Sequence, residues 1–323
     1  MKTIFITGIA GMIGFHTAKK YHALGWKVWG VDNFNDYYDV ELKRERARLL
    51  SKLDIGVDNG DIRDICKKYS SRKHVIDEVD IILHLAAYAN PRHAMEEPQH
   101  YIDTNITGTQ EVISFAEKCG VPVVYASSSC VMHGQPLPWN EHDKGAHQNN
   151  PYGWSKYVNE CQFTHSKIAR TTGLRFFTVY GPYGRPDMAL FKFTDAIIED
   201  KPLTLYNYGD MKRDFTYVDD IVQGITLVVD DIFEPAGTSD GVRHEIYNIG
   251  YGEQVQLMDF VKAIETELGR EGRYDMVPPH PADTPATWAD TTKLQKLGYK
   301  PTTPISEGVK HFISWYKEYY NVN

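Results

Sequence analysis

The sequence predicts an α/β fold with a doubly wound, mainly parallel sheet and a smaller C-terminal part. Apolar, strand-like runs alternate with helical segments as far as about residue 175, a pattern typical of a sheet covered by helices on both faces. A loop with three glycines separates the first run from the first helix. Proline and glycine punctuate the later chain at 181–187 and 277–283, which indicates loops laid over the carboxyl ends of the strands.

The glycine loop predicts a Rossmann-type dinucleotide site. It follows the β-branched and aromatic first strand, residues 2–7. Its first glycine permits a tight turn, the second lets backbone amides approach a pyrophosphate, and the third lets the next helix pack against the strand with its N-terminus facing the phosphates. The spacing differs from the usual Gly-x-Gly-x-x-Gly, so an ordinary strand-to-helix turn is the alternative. The residues assigned to the site are Gly8, Gly11, Met12, Ile13 and Gly14.

The second strand, Lys27–Asp32, ends in an acid at the offset from the glycine loop expected of a group that binds adenosine-ribose hydroxyls. Its charge would repel a 2′-phosphate, so the sequence favours NAD over NADP. A turn role for Asp32 before Asn33 is the alternative. Asp61 and Ile62 follow a third strand predicted near Ile55–Asn59, and we expect both to meet the adenine.

The fourth strand, Val79–Ala87, ends in small residues that would let a cofactor lie against the backbone. Leu85, Ala86 and Ala87 are therefore assigned to the cofactor site. We interpret His84 as a packing residue, not a metal ligand.

Tyr152 and Lys156 lie four residues apart and so share one face of a predicted helix. The ammonium can then lie beside the phenol, lower its pKa and make it a proton shuttle near neutrality. Such a pair also occurs by chance on surface helices. Its position downstream of the glycine loop and of a serine cluster, Ser127–Ser129, favours hydride chemistry.

Composition excludes several other classes. The 323 residues carry a formal charge of −8 and no basic run, which argues against nucleic-acid binding. We see no transmembrane stretch or signal peptide and expect a cytoplasmic protein. The four cysteines have no zinc spacing and need no disulfide. The charged run Arg44–Arg48 is predicted to be a solvated helix face.

Three longer segments resemble the extended short-chain dehydrogenase/reductase family and, within it, the nucleotide-sugar epimerases, above all those that act on UDP-glucuronate. The segments are Val31–Val40, Leu174–Leu190 and Tyr206–Asp220. The resemblance covers essentially the whole chain. It implies an NAD-binding Rossmann domain at 1–177, to which 212–250 returns, and a substrate-binding domain made mainly of 178–211 and 251–323.

The resemblance also implies catalytic roles. Tyr152 would remove a proton from the sugar 4-hydroxyl while NAD accepts the C4 hydride, which then returns to the opposite face of a 4-keto sugar. Lys156 would hold the nicotinamide ribose, and Ser128 would hydrogen-bond the same sugar oxygen. Asn105 resembles the family asparagine that supports the tyrosine and the lysine.

Substrate contacts are assigned in the same way. Arg213 would bind the pyrophosphate in a two-point fashion, and Asp283 would bind the uridine ribose. Arg92 would approach the sugar or the phosphates. Arg185 is a candidate for a carboxylate or phosphate, with a solvent-facing loop arginine as the alternative. Because a 4-keto uronate can lose carbon dioxide, we hypothesise that hydroxyls hold its carboxylate out of alignment; the candidates are Ser127, Ser129 and Thr178.

Other reactions of the family remain alternatives. A 4,6-dehydratase would carry adjacent Asp and Glu where this chain has Ser129 and Cys130, and a UDP-glucuronate decarboxylase commonly has Glu at Cys130. Relatives continue Ser-Val-Tyr-Gly, whereas this chain reads Cys130-Val-Met-His-Gly134, which leaves another uronate such as an N-acetylated one open. An NAD-sensing regulator is the non-enzyme alternative.

The resemblance also implies a homodimer, whose interface would be formed by helices at 101–118 and 152–169.

Overall fold

The computed structural model describes residues 1–69, 71, 73–234 and 243–322, apart from the side chains of 73–75 and 243. The strands are β1 (Thr3–Thr7), β2 (Lys27–Asp32), β3 (Gly56–Asn59), β4 (Ile81–His84), β5 (Val123–Ser128), β6 (Arg170–Phe176), β7 (Thr178–Tyr180), β8 (Pro202–Leu205), β9 (Lys212–Arg213), β10 (Phe215–Tyr217), β11 (Arg243–Ile249), β12 (Val255–Gln256) and β13 (Arg273–Met276).

Helices connect most of these strands. They are α1 (Met12–Ala23), α2 (Val40–Ser51), α3 (Ile65–Tyr69), α4 (Lys73–Glu78), α5 (Pro91–Glu96), α6 (Pro98–His100), α7 (Thr109–Cys119), α8 (Pro151–Thr164), α9 (Ala189–Ile198), α10 (Val218–Phe233), α11 (Leu257–Leu268), α12 (Thr292–Gln295) and α13 (Ile305–Tyr320). A π-helix, Tyr101–Gly108, precedes α7 without a break.

The central sheet has seven strands in the order β11-β6-β5-β4-β1-β2-β3, and every neighbouring pair is parallel. The chain runs outward from β1 to β3 and then crosses back to β4, so the strand order reverses between β1 and β4. This is the arrangement of a doubly wound sheet, whose ligands bind at the carboxyl ends next to that reversal. The predicted α/β fold is confirmed.

Both faces of the sheet are covered, as alternation along the strands requires. Ile4 and Ile6 of the fully buried β1 belong to one apolar cluster, whereas Phe5 belongs to another on the opposite face. Helices α1 and α10 pack on the first face, and α3 and α7 pack on the second. Strand β11 pairs with β6 over its whole length, which brings a late segment of the chain back into the sheet.

Among its described residues, the later chain forms three two-stranded sheets, β7 with β10, β8 with β13 and β9 with β12. Helices α9, α11 and α13 pack beside them around Phe191, Phe260 and Phe312. These elements follow the carboxyl ends of β6 and β11, so the loops that join them border the same edge of the sheet.

Several boundaries differ from the predictions. The fourth strand ends at His84, not Ala87, because Leu85 makes the last backbone bond, to Thr7, before the chain leaves the sheet. The helix that begins at Pro151 ends at Thr164, since β6 starts at Arg170. In the part of the chain that the structure describes, we find no helix long and apolar enough to span a bilayer.

The prediction of a solvated face for 44–48 is wrong for one residue. Arg46 is fully buried, and its guanidinium donates to the carbonyls of Ala10 and Tyr183 at 2.8 and 2.6 Å. Helix α2 packs against α1, so this face of the helix is covered. The neighbouring Arg44 and Arg48 are exposed and pair with Glu41 and Glu45.

Candidate active site

A cleft of about 710 Å³ lies at the carboxyl ends of the central strands, between the glycine loop and the loops of the later chain. Nearly all predicted site residues line it. They are Gly8, Gly11, Met12, Ile13, Gly14, Asp32, Asn33, Ile62, Leu85, Ala86, Ala87, Arg92, Ser127, Ser128, Ser129, Tyr152, Lys156, Thr178, Arg185, Arg213 and Asp283. Two predicted residues, Asp61 and Asn105, lie outside the lining that the described residues form.

The glycine loop has no room for side chains. Gly8 has a left-handed backbone, with φ of +71°, and a Cβ there would lie 2.8 Å from the amide nitrogen of Ala86. A Cβ on Gly14 would lie 2.3 Å from the carbonyl oxygen of Gly8. Helix α1 begins at Met12, so its N-terminus opens onto the cleft. This bare backbone cradle fits the pyrophosphate of a dinucleotide.

Asp32 stands at the end of β2, where a ribose is expected. Its carboxylate accepts hydrogen bonds from the backbone amides of Ala10 and Phe34 at 3.1 and 3.0 Å, and burial raises its pKa. Asp61 accepts a hydrogen bond from Asn33 at 3.0 Å and pairs with Arg63. Asp61 therefore supports the loop beside the cleft instead of lining it.

Lys43 is a lining residue that sequence reasoning missed. Its ammonium donates to the backbone and side-chain oxygens of Asn35 at 2.5 and 2.7 Å. Burial lowers its pKa to about 8, while Asp32 acts in the opposite direction. The residue lies in helix α2, and its place in the charged segment 41–48 concealed it.

The catalytic candidates converge at one point of the cleft. Helix α8 starts at Pro151, where the Asn150 side chain accepts a hydrogen bond from the Gly153 amide at 2.8 Å, so Tyr152 and Lys156 occupy its first turns. The Lys156 ammonium donates to the carbonyl of Ala126 at 2.9 Å. Ser128 ends the neighbouring strand β5. Strand and helix thus present a serine, a phenol and an ammonium to one space.

The electrostatics differ from the expectation in one respect. Burial raises the pKa of Tyr152, and the Cys130 thiol adds to this, whereas Ser128 and the Arg185 guanidinium lower it. Burial also lowers the pKa of Lys156 to about 7. The Arg185 guanidinium is thus a cation that favours the phenolate, and the effect of Lys156 on the pKa of Tyr152 stays a prediction.

The hydroxyl of Ser127 forms a hydrogen bond to a buried ion pair. The hydroxyl donates to Glu160 at 2.7 Å, and Glu160 forms a two-point ion pair with Arg175 at 2.8 and 3.0 Å. Both partners of the pair are buried. Ser127 lines the cleft, but its hydroxyl is directed to Glu160 of this pair.

Asn105 sits in the π-helix and is fully buried. Its side chain accepts from the amide of Tyr88 and donates to the carbonyl of the same residue, each at 2.9 Å. It also donates to the hydroxyl of Ser155 at 3.0 Å. Since Ser155 lies between Tyr152 and Lys156 on α8, Asn105 joins this helix to the loop after β4.

The three predicted arginines differ in whether a carboxylate of the protein already pairs with the guanidinium. Arg92 is held by Asp283 at 3.2 and 2.7 Å. Arg185 is held by Asp187 at 2.9 and 2.6 Å. Among the described residues Arg213 forms no ion pair; it donates to backbone carbonyls, including that of Pro285 at 3.1 Å. Arg213 is therefore the predicted arginine whose charge is not already matched by a bound acid.

Met132 and His133, where this chain differs from the sequence pattern of its relatives, do not line the cleft. Met132 is fully buried in a small apolar cluster with Trp139 and Phe177. His133 forms a hydrogen bond with the hydroxyl of Thr284 at 3.0 Å, and burial lowers its pKa. The altered residues thus pack beneath the loop that carries Asp283.

The model of the NAD dependent epimerase/dehydratase family matches residues 4–250. The chain belongs to this family. Family membership, together with the glycine cradle and the acid after β2, makes NAD the cofactor. The predictions of the family and of NAD are therefore confirmed.

Curated relatives match along the whole chain. Protein CapI of Staphylococcus aureus is 40% identical over 337 residues, which cover 98% of this chain and 99% of the relative. UDP-glucuronate 4-epimerase 4 of Arabidopsis thaliana is 36% identical over 334 residues, which cover 99% of this chain and 76% of the relative.

Solved structures of this epimerase family superpose closely. The UDP-glucuronic acid 4-epimerase from Bacillus cereus, in complex with UDP-glucuronic acid and NAD, has a TM-score of 0.87 and 28% identity, covering 98% of this chain and 100% of that chain. MoeE5, in complex with UDP-glucuronic acid and NAD, has a TM-score of 0.80 and 26% identity, covering 98% of this chain and 99% of that chain.

Proposed function

We propose that this family member catalyses the NAD-dependent C4 epimerisation of UDP-glucuronate to UDP-galacturonate through a 4-keto sugar. The observation that carries the proposal is the convergence of Tyr152, Lys156 and Ser128 on the cleft that the glycine loop lines. The similarity to UDP-glucuronate 4-epimerases over nearly the full chain supports this substrate.

Each catalytic side chain has a distinct task in this proposal. Tyr152 removes the proton of the sugar 4-hydroxyl and later returns it, and Ser128 donates a hydrogen bond to the same oxygen as its charge changes. Lys156 binds the nicotinamide ribose. When bound in the cradle of the glycine loop, NAD would supply the two-electron acceptor and donor for C4 of the sugar. Asp32, Asn33 and Asp61 serve the adenosine end.

The substrate carries negative charge on its diphosphate and on its uronate carboxylate. Arg213 binds the diphosphate, because its guanidinium is not matched by a bound acid among the described residues. Arg92 binds the phosphates and Asp283 binds the uridine ribose, once the ion pair between these two residues has opened. Arg185 lies near enough to lower the pKa of Tyr152, which suits a contact with the sugar.

The uronate carboxylate needs restraint, since a β-keto acid loses carbon dioxide when its carboxylate bond aligns with the carbonyl. Ser129 and Thr178 line the cleft and hold the carboxylate off that alignment in this proposal. The hydroxyl of Ser127 is left out of this role because it donates to Glu160.

Neighbouring reactions fit the residues less well. Positions 129 and 130 hold serine and cysteine in place of the acid and base that dehydration requires. Burial raises the pKa of the Cys130 thiol, so it is a poor proton acceptor at neutral pH. These residues favour epimerisation over dehydration and decarboxylation.

We also propose a homodimer built on the π-helix, α7 and α8, and a cytoplasmic location, which cysteines that form no disulfide among the described residues suit. Light scattering after size exclusion tests the dimer, and a monomer mass would contradict it.

In this proposal the cofactor domain comprises 1–177 and 212–250, of which 70, 72 and 235–242 lie outside the described residues. Residues 178–211 and 251–323 mainly form the substrate domain, and residue 323 also lies outside the described residues.

Incubation of the purified protein with UDP-glucuronate and no added cofactor, followed by proton NMR of the anomeric signals, tests the activity. We expect UDP-galacturonate, with Tyr152→Phe inactive and still loaded with NAD. UDP-pentose as the main product would favour decarboxylation. NAD binding without any product from a panel of UDP-uronates, N-acetylated ones included, would favour a regulatory protein.

A further inference from the structure

One carboxylate, that of Asp187, gathers three segments of the chain. It accepts hydrogen bonds from Arg185 at 2.9 and 2.6 Å, from the phenol of Tyr37 at 2.9 Å and from the amide of Asn90 at 2.8 Å. Arg185 also donates to the carbonyl of Ala89 at 3.1 Å. The carboxylate therefore uses both oxygens and receives donors from residues 150 and 97 positions away.

These segments are the loops that follow β2, β4 and β7. Tyr37 lies shortly after Asp32, Asn90 is the N-cap of α5, and Asp187 precedes α9. All of them line the same cleft as the glycine loop. A dinucleotide in a doubly wound sheet lies across the carboxyl ends of the strands, so these loops border its path out of the cleft.

A second buried side chain ties the same region to the glycine loop. Arg46 donates to the carbonyl of Ala10, to the phenol of Tyr38 and to the carbonyl of Tyr183, at 2.8, 2.8 and 2.6 Å. Arg46 and Asp187 thus hold the loop after β2 and the loop after β7 at separate points, which restricts their separation.

The hydrogen bonds to Asp187 are strong because the acceptor is a charged carboxylate. The side chain of Asp187 is 15% exposed and that of Arg185 is 19% exposed, so water competes weakly for them. Burial opposes the charge, but the Arg185 guanidinium outweighs it and holds the pKa of Asp187 well below its usual range. The carboxylate therefore stays ionised throughout the neutral range.

We propose that Asp187 is a positioning residue of the cofactor site, which fastens the loops after β2, β4 and β7 over bound NAD and slows its release. Slow release suits the proposed epimerase, since a reaction that returns its hydride in every cycle needs no exchange of cofactor. The proposal about Asp187 itself rests only on NAD binding and not on the identity of the sugar.

The release of NAD from the holoenzyme tests it. NAD-loaded protein is diluted into ethanol and an excess of alcohol dehydrogenase, and the absorbance of the NADH formed reports each released molecule. Tyr37→Phe removes one hydrogen bond to a charged acceptor and leaves the Arg185–Asp187 pair intact. We expect release to become about tenfold faster, and faster still in Asp187→Asn. Tyr208→Phe, on an exposed ring, is the matched control with the wild-type rate.

An unchanged release rate in Tyr37→Phe would overturn the proposal, and so would an equal acceleration in Tyr208→Phe. Far-ultraviolet circular dichroism shows whether each variant is folded; if Asp187→Asn is not, Tyr37→Phe still decides. The measurement contains no sugar nucleotide. A wild type that turns over no UDP-uronate would therefore refute the proposed reaction and leave the result on Asp187 intact.

Discussion

Arg92 and Asp283, which lie 191 residues apart in the chain, form a two-point ion pair at one end of the cleft, with distances of 3.2 and 2.7 Å. The Arg92 guanidinium also lies over the ring of Tyr206, 3.6 Å from its centre. Both partners are proposed to bind the nucleotide. They neutralise each other in this structure, and in the proposed function contacts to phosphate and ribose replace their mutual contact.

The coupling of this pair gives the first prediction. We expect Arg92→Gln and Asp283→Asn each to weaken UDP binding by roughly three- to tenfold, and the double variant to lose less than the two effects combined, because the partners are in contact. Calorimetric titration with UDP measures all four proteins. Glu41→Ala, which removes an exposed partner of Arg44, combined with Asp283→Asn, is the control and should be additive. Additivity in the Arg92 and Asp283 cycle would show that the pair is irrelevant to binding.

The second prediction concerns pH and Lys156. Burial lowers its folded pKa to about 7, whereas an unfolded lysine titrates near about 10.4. Between these values the unfolded state binds more protons, so this group makes stability rise with pH, by up to about 1.4 kcal/mol per pH unit. Below about pH 7 both states are protonated, and the cost of the buried charge is present in full.

The variant Lys156→Met lacks this pH-dependent contribution to the free energy of unfolding. We expect the variant to exceed the wild type in free energy of unfolding at about pH 6, by an amount that shrinks as pH rises from about 7 to 9. Urea unfolding of both proteins, freed of NAD in the same way, measures the difference. A difference that does not change with pH would contradict the lowered pKa of Lys156.

The third prediction is a change of product. Ser129→Ala and Thr178→Ala should raise the ratio of UDP-pentose to UDP-galacturonate severalfold, because the proposed restraint on the carboxylate is weakened. Ser127→Ala is the matched control, since its hydroxyl donates to Glu160 and its loss should leave the ratio unchanged. Proton NMR of the products gives the ratio. If no variant alters it, these hydroxyls do not restrain the carboxylate.

The fourth prediction concerns the buried pair of Glu160 and Arg175. Glu160→Leu leaves an unmatched guanidinium in the core and should lower the free energy of unfolding by about 3–5 kcal/mol. Adding Arg175→Met should restore most of that loss. Glu41→Ala breaks an exposed pair with Arg44 and should cost no more than about 0.5 kcal/mol. Equal losses for the buried and exposed changes, measured in urea, would contradict this view.

Local chemistry explains what could be read from the sequence. Tyr152 and Lys156 share a face because the helical repeat is short, and Gly8 and Gly14 mark places where a side chain would strike the backbone. Asp32 ends a strand, and strand ends of a parallel sheet meet at one edge. These relations involve neighbours in the chain, so pattern alone predicts them.

Contacts between distant segments were beyond the sequence. Arg46 looks like a surface residue until α2 is packed against α1, and Ser127 looks like a sugar ligand until Glu160 of α8 meets it behind β5. The pairing of Arg92 with Asp283 depends on where the loop near residue 283 crosses the sheet. Each requires side chains from separate elements to meet in space.

By itself, the sequence determined the sheet, the cofactor and the shared helical face of Tyr152 and Lys156, because periodicity and backbone sterics act over a few residues. Only the tertiary structure decided which charges in the cleft are free. Arg213 is left without a bound acid among the described residues, whereas Arg92 and Arg185 are each held by one. Ion pairing depends on distance in space, and the fold alone sets that distance.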